Sequence, residues 1–190
     1  MDQVQEIARA IAQLQPGEKE QLFETLASQG DLPEQYAKVA SQEKKLDLAP
    51  VPDPSRSPDY ILIFDGGSRG NPGRGYGSYA ITRVADGAQR LQRLQLGDGY
   101  TNNEAEYDSL LAALQDLLQR IEQAGRQPRE FALEVRGDSA LVIKQVQGGW
   151  KAKDSRMKER RDRCRRLLGR FGAVELKTQP REESVRVLGH

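Results

Sequence analysis

The sequence predicts an α/β domain: a five-stranded mixed sheet, three antiparallel strands then two parallel ones, flanked by helices and preceded by a small helical segment. Three observations carry this. Short apolar runs bounded by turn residues, YILIF (60–64) and FALEV (131–135), read as buried strands. NNEAEYDSLLAALQDLLQRIEQ (102–123) between them has the composition and spacing of one long helix. The resulting order, three strands, helix, strand, one or two helices, strand, makes the first and fourth strands parallel neighbours.

The elements follow in chain order. Val4, Ile7, Ala8, Ile11 and Leu14 recur at helical spacing and stop before Pro16-Gly17. Leu22, Phe23 and Leu26 continue the pattern, and Pro33 suits the first turn of a third helix. Residues 1–46 therefore read as a helical accessory segment, too short for a substantial core of its own. Residues 47–58 contain four prolines and read as a linker, leaving 59–190 as the main domain. GYGSYAITR (75–83) and QRLQRLQL (89–96) are β-compatible and flank Asp86-Gly87, a hairpin signal. Gly125 and Pro128 end the long helix; SALVIKQVQG (139–148) is a helix, WKAKDSRMKERRDRCRRLLGR (150–170) a basic helix, and AVELKT (173–178) the last strand.

Composition narrows the class. The 190 residues are 37% hydrophobic and 30% charged, with no apolar run of 18 and no basic-then-apolar start, so a cytoplasmic protein is expected. A single cysteine, Cys164, excludes an internal disulfide or multi-cysteine zinc site; it falls in register with Met157, Leu168 and Phe171 and reads as core. The net charge of +1 is uneven. Residues 1–46 hold five basic and eight acidic side chains, whereas residues 150–170 hold ten basic and three acidic. That helix is either a polyanion-binding surface or a solvated face of internal ion pairs.

Three carboxylates converge. Asp65 follows YILIF and Asp138 follows FALEV after Arg136-Gly137, so on parallel neighbours both emerge at one carboxyl-end rim. Glu106 heads the apolar stripe Leu110, Ala113, Leu117, Ile121 of the long helix, where a carboxylate is costly unless compensated; bound Mg2+ or Mn2+ would do so. Glu104 belongs to the opposite, polar face. Each acid also has a local reading: Asp65-Gly66 as turn chemistry, Asn103 with Glu106 as a capping box, Asp138 before Ser139 as a helix cap. Asn71, Asn102 and Asn103, with the amides of the glycine-rich stretch, suit ribose hydroxyls and phosphates.

DGGSRGNPG, TNNEAEY and GDSALVIKQVQGGWK, in this order, resemble type 1 ribonuclease H, in particular its compact bacterial and archaeal branch; the similarity covers residues 60 to about 183. The resemblance implies a ribonuclease H-like fold and an endonuclease that hydrolyses the RNA strand of an RNA/DNA hybrid, leaving 5'-phosphate and 3'-hydroxyl ends. It implies Asp65, Glu106 and Asp138 as metal-binding catalytic acids for two Mg2+ or Mn2+ ions. Gly66, Ser68, Asn71, Asn102, Asn103 and Ser139 would meet the hybrid. Trp150 and Lys151 would grip its DNA strand, a core tryptophan being the alternative. The family's fourth acid is missing: PREESVRVLGH puts Ser184 at its asparagine position and Leu188 at its aspartate position. His190 is a candidate substitute. The gap raises a second possibility, a hybrid-binding module with weakened or no catalysis.

Overall fold

The computed structural model describes residues 57–189; the three expected N-terminal helices, the linker up to residue 56 and His190 lie outside the described residues. The strands are β1 (Tyr60–Gly70), β2 (Gly73–Arg83), β3 (Gln89–Tyr100), β4 (Ala132–Gly137) and β5 (Ala173–Thr178). The helices are α1 (Asn102–Gln123), α2 (Ala140–Gln147), α3 (Ser155–Leu168) and α4 (Arg181–Leu188), with a 3-10 turn at Pro128–Glu130. In the sheet, order β3-β2-β1-β4-β5, the pairs β3–β2 and β2–β1 are antiparallel and the pairs β1–β4 and β4–β5 parallel, as the element order predicts.

The apolar stripe of α1 decides how the layers stack. Leu110, Ala113, Leu117 and Ile121 are all buried, packed with Leu62, Phe64, Tyr79, Ile81, Leu133 and Val135 of the central strands. Met157, Cys164 and Leu168 of α3 close the same core from its far side, so Cys164 is a packing residue. On the opposite face of the sheet, α4 covers β1 and β2 through Leu188, which packs with Ile63 and Ala80.

One boundary differs from the sequence expectation in a way that matters. The glycine-rich stretch after Phe64 continues β1 as far as Gly70, with Asp65 paired to Ser78 and Gly66 to Gly77. Those glycines serve helix packing. A Cβ on Gly66 would sit 2.5 Å from the carbonyl carbon and oxygen of Ala105 and 2.6 Å from the Glu106 nitrogen; one on Gly77 would sit 1.9 Å from Ser109 Oγ. The absence of side chains lets the first turns of α1 rest directly on the β1–β2 pair.

Candidate active site

The register of β1 and β4 brings the first two acids together. Phe64 pairs with Gly137 in a parallel ladder, so the next residues, Asp65 and Asp138, stand side by side where β4 ends. Gly137 is required there, because a Cβ would meet the Phe64 ring at 2.7 Å. Glu106 enters from above, carried by the close approach of α1 at Gly66. One carboxylate oxygen from each of Asp65, Glu106 and Asp138 lies within 4.8 Å of the other two.

The start of α1 explains why Glu106 is available. The helix is capped by Thr101, which accepts from the Glu104 N–H at 3.3 Å, while Glu104 accepts from the Thr101 N–H at 2.9 Å. The capping box is thus Thr101–Glu104, in place of the Asn103–Glu106 box that spacing alone allows. Glu104 is also buried, against the polar-face expectation, and ion-pairs with Arg156 at 3.2 Å and Arg160 at 3.6 Å from α3. It has no part in the carboxylate cluster.

Asp65 is 3% exposed and accepts a hydrogen bond from the Gly66 N–H at 2.9 Å. Glu106 Oε2 and Asp138 Oδ1 are buried and have no hydrogen-bond partner among the described residues. Burial, with Asp138 and Asp65 adding repulsion, pushes the Glu106 carboxyl up to about 8 against the opposing pull of a Ser139 hydrogen bond and Arg181. Hard oxygen donors, unsatisfied and crowded in this way, fit a hard divalent cation. A cation binding there must displace the Glu106 proton, so Mn2+ affinity is expected to rise with pH, by up to about tenfold per unit, and to level off above pH 8. Without metal, the folded state retains that proton while the unfolded state loses it near pH 4.5, so stability falls as pH rises from there towards 8. Mn2+ titrations and thermal melts at pH 6, 7 and 8 check both trends; flat profiles would contradict the assignment.

Ser139 caps α2, accepting from the Val142 N–H at 3.5 Å, and meets Glu106 through its hydroxyl. Ser68, Asn71 and Asn102 tie the β1–β2 turn to the start of α1. Asn102 Oδ1 accepts from the Ser68 N–H at 2.8 Å, Asn71 Oδ1 from the Asn102 N–H at 3.3 Å, and Ser68 Oγ donates to the Tyr100 carbonyl at 2.7 Å. Asn71, Asn102 and Asn103 line an open hollow of about 350 Å3 with Thr101, Asp154 and Arg156. Trp150 is 47% exposed, so the core alternative fails; Lys144 Nζ lies 4.8 Å from its ring centre. Lys151 beside it is exposed. The basic helix divides its charges: Arg156 and Arg160 pair with Glu104 and Asp108, Arg165 donates to the last carbonyls of α2, and Lys158, Arg163 and Arg166 face solvent.

Sequence reasoning missed Arg181. Its Nη1 stands 3.2 Å from Asp138 Oδ2 and 3.9 Å from Asp65 Oδ1. The available signal was its place just past β5, a strand ending at the same rim as β4. Leu188, at the expected position of a fourth acid, is fully buried in the apolar cluster beneath α4. Leu188→Asp is expected to destabilise the protein by at least about 3 kcal/mol, through lost packing and a buried carboxyl, without a gain in metal affinity. Urea denaturation beside Mn2+ titration checks this.

A five-stranded mixed sheet with helices on both faces and three converging carboxylates where β1 and β4 lie side by side defines a ribonuclease H-like protein. A family model described as "Reverse transcriptase-like" matches residues 64–187. The ribonuclease HI of Halobacterium salinarum is 34% identical over 145 residues, covering 74% of this chain and 66% of the relative. The bifunctional protein Rv2228c of Mycobacterium tuberculosis is 36% identical over 123 residues, 64% of this chain and 31% of that one. The match thus spans slightly under two thirds of the first relative's length and about a third of the second's. Among solved structures, the RNase H1 of Halobacterium salinarum superposes with a TM-score of 0.57 at 35% identity, over 67% of this chain and 89% of that chain. LC11-RNase H1 in complex with an RNA/DNA hybrid gives 0.59 at 32% identity, over 67% and 89%. The chain belongs to the type 1 ribonuclease H family of enzymes.

Proposed function

We propose that this protein is an endoribonuclease that hydrolyses the RNA strand of RNA/DNA hybrids with two divalent cations, Mg2+ or Mn2+, leaving 5'-phosphate and 3'-hydroxyl ends. The observation that carries the reading is the cluster of Asp65, Glu106 and Asp138, in which Glu106 Oε2 and Asp138 Oδ1 are buried without a hydrogen-bond partner among the described residues. A relative of the same fold binds an RNA/DNA hybrid, which supports the substrate. When bound, the cations supply an activated water at neutral pH and stabilise charge on the leaving 3'-oxygen.

The chain's own residues do the rest. Asp65 and Asp138 hold one side of the site from adjacent strands, and Glu106 holds the other from α1. Ser139 orients Glu106, and Arg181 offsets part of the clustered negative charge. Ser68, Asn71, Asn102 and Asn103 present hydroxyl and amide groups to 2'-hydroxyls, which distinguish RNA from DNA. Gly66 acts by letting α1 approach. Trp150, Lys151 and the solvent face of α3 take the DNA strand's backbone. The hybrid substrate and the buried, unpaired Cys164 accord with a cytoplasmic location.

Leu188, buried where the fourth acid would stand, favours one other reading: a hybrid-binding module without catalysis. A hybrid labelled separately on each strand decides between them. RNA-strand cuts with 5'-phosphate products in Mg2+ or Mn2+ establish the nuclease; retention of the hybrid with both strands intact establishes the module.

A further inference from the structure

Beside the carboxylates lies a set of arginines that the fold does not use. On the face of the sheet that carries Asp65, residues Asp65, Gly67 and Arg69 of β1 stand opposite Ser78, Tyr76 and Arg74 of β2. Arg93 and Gln95 of β3 continue the rows, opposite Ser78 and Tyr76. Arg69 and Arg74 therefore face each other directly, an arrangement that destabilises a sheet. Both are exposed, as is Arg93, and among the described residues none of the three has a carboxylate within ion-pair distance. The other arginines of the strands are matched: Arg83 with Asp86, Arg90 with Asp116, which also takes Arg120 of α1, and Arg136 with Glu134. Within the strands, cationic groups are left unmatched only near the acids, which points to an anionic ligand there.

The surface between them has the shape of a track. Two hollows of about 270 and 440 Å3 share Arg69, Tyr76 and Gln95; the first also takes in Arg74, the second Arg93 and Arg181. The Tyr76 ring crosses over Gly67, where a Cβ would meet its hydroxyl at 2.5 Å, and so lies between Asp65 and Arg69. Guanidinium groups in a row with an aromatic platform among them suit a sugar-phosphate backbone, which such surfaces bind without reading sequence. From Asp65 to Arg69 the strand covers roughly 13 Å, the span of a few nucleotides.

We propose that Arg69, Arg74 and Arg93, with the Tyr76 ring, form a phosphodiester-binding groove that holds the substrate's backbone on the β1–β2 hairpin side of the carboxylates. The proposal rests on the hybrid-nuclease reading and extends the substrate path to the face of the sheet away from α3. Its function explains the cost of opposing Arg69 to Arg74.

The test uses the full chain carrying Asp65→Asn, to prevent turnover, and an RNA/DNA hybrid of about 20 base pairs titrated across a range of salt. Adding Arg69→Gln, Arg74→Gln and Arg93→Gln together is expected to weaken binding at least tenfold at low salt and to reduce the slope of log affinity against log salt by about 2–3, one counterion per lost contact. Arg120→Gln, at a matched arginine, should change neither. Removing the like-charge pair should leave the thermal midpoint unchanged or higher. Unaltered affinity and slope in the triple variant would overturn the groove, as would weakened binding accompanied by a lower midpoint, which marks a structural role. Failure of the parent to bind any hybrid would overturn the function itself; binding by the parent with no effect of the three substitutions overturns the groove alone.

Discussion

Asp65→Asn is expected to lower the rate of RNA-strand hydrolysis at least about a thousandfold, equivalent to about 4 kcal/mol of transition-state stabilisation. The substitution keeps the side chain's shape and removes its charge. Asp65 is buried, on a strand paired on both sides, and is one of three carboxylates whose oxygens lie within 4.8 Å of one another. Losing one of three anionic donors weakens cation binding, while losing repulsion with Glu106 relaxes the metal-free site. The thermal midpoint without metal is therefore expected to equal or exceed that of the parent, the usual opposition between stability and activity at a crowded site. Single-turnover cleavage and melting of the same preparation check both halves. A variant that loses activity because it melts early would show that Asp65 supports the fold rather than the chemistry.

Gly66→Ala is expected to combine the next largest effects. The added methyl meets backbone atoms at 2.5–2.6 Å, and a backbone cannot turn aside as a flexible side chain can. Either β1 or the first turn of α1 must shift, at a cost of at least about 1–3 kcal/mol. The shift moves Glu106 away from Asp65 and Asp138. Misplacement of about 1 Å at a reacting centre costs about a hundredfold in rate, so kcat should fall by that order even where the protein remains folded. Hybrid affinity should change less than kcat, since Asn71, Asn102 and the exposed basic residues keep their charge and chemistry. Urea denaturation, steady-state kinetics and hybrid binding on one preparation separate the three quantities.

What was legible in the sequence was local and periodic. The long helix and the last strand begin and end where spacing and punctuation place them, at 102–123 and 173–178. Asp65 and Asp138 could be paired because two apolar runs joined by a helix must lie parallel, and Glu106 because it interrupts an apolar stripe. The glycines after Asp65 looked like a loop because glycine is the usual turn residue. Their actual reason, the approach of α1, depends on residues about 40 positions away. The two capping boxes at the start of α1 are equivalent by spacing. Arg156 and Arg160, about 50 residues further on, hold Glu104 in one of them and leave Glu106 to the site. Arg181 was invisible for the same reason: its role depends on β5 ending beside β4. Trp150 carries no local sign of exposure, and only the loop between α2 and α3 sets it.

The most direct test of the central claim, that three carboxylates suffice for metal-dependent cleavage, is single-turnover hydrolysis of a strand-labelled RNA/DNA hybrid while Mg2+ and, separately, Mn2+ are titrated from zero. Cleavage is expected to be confined to the RNA strand, absent without metal and saturating as the ion is raised. A hybrid bound tightly and left intact at every concentration of both ions would contradict it and leave the site as one that binds without cutting.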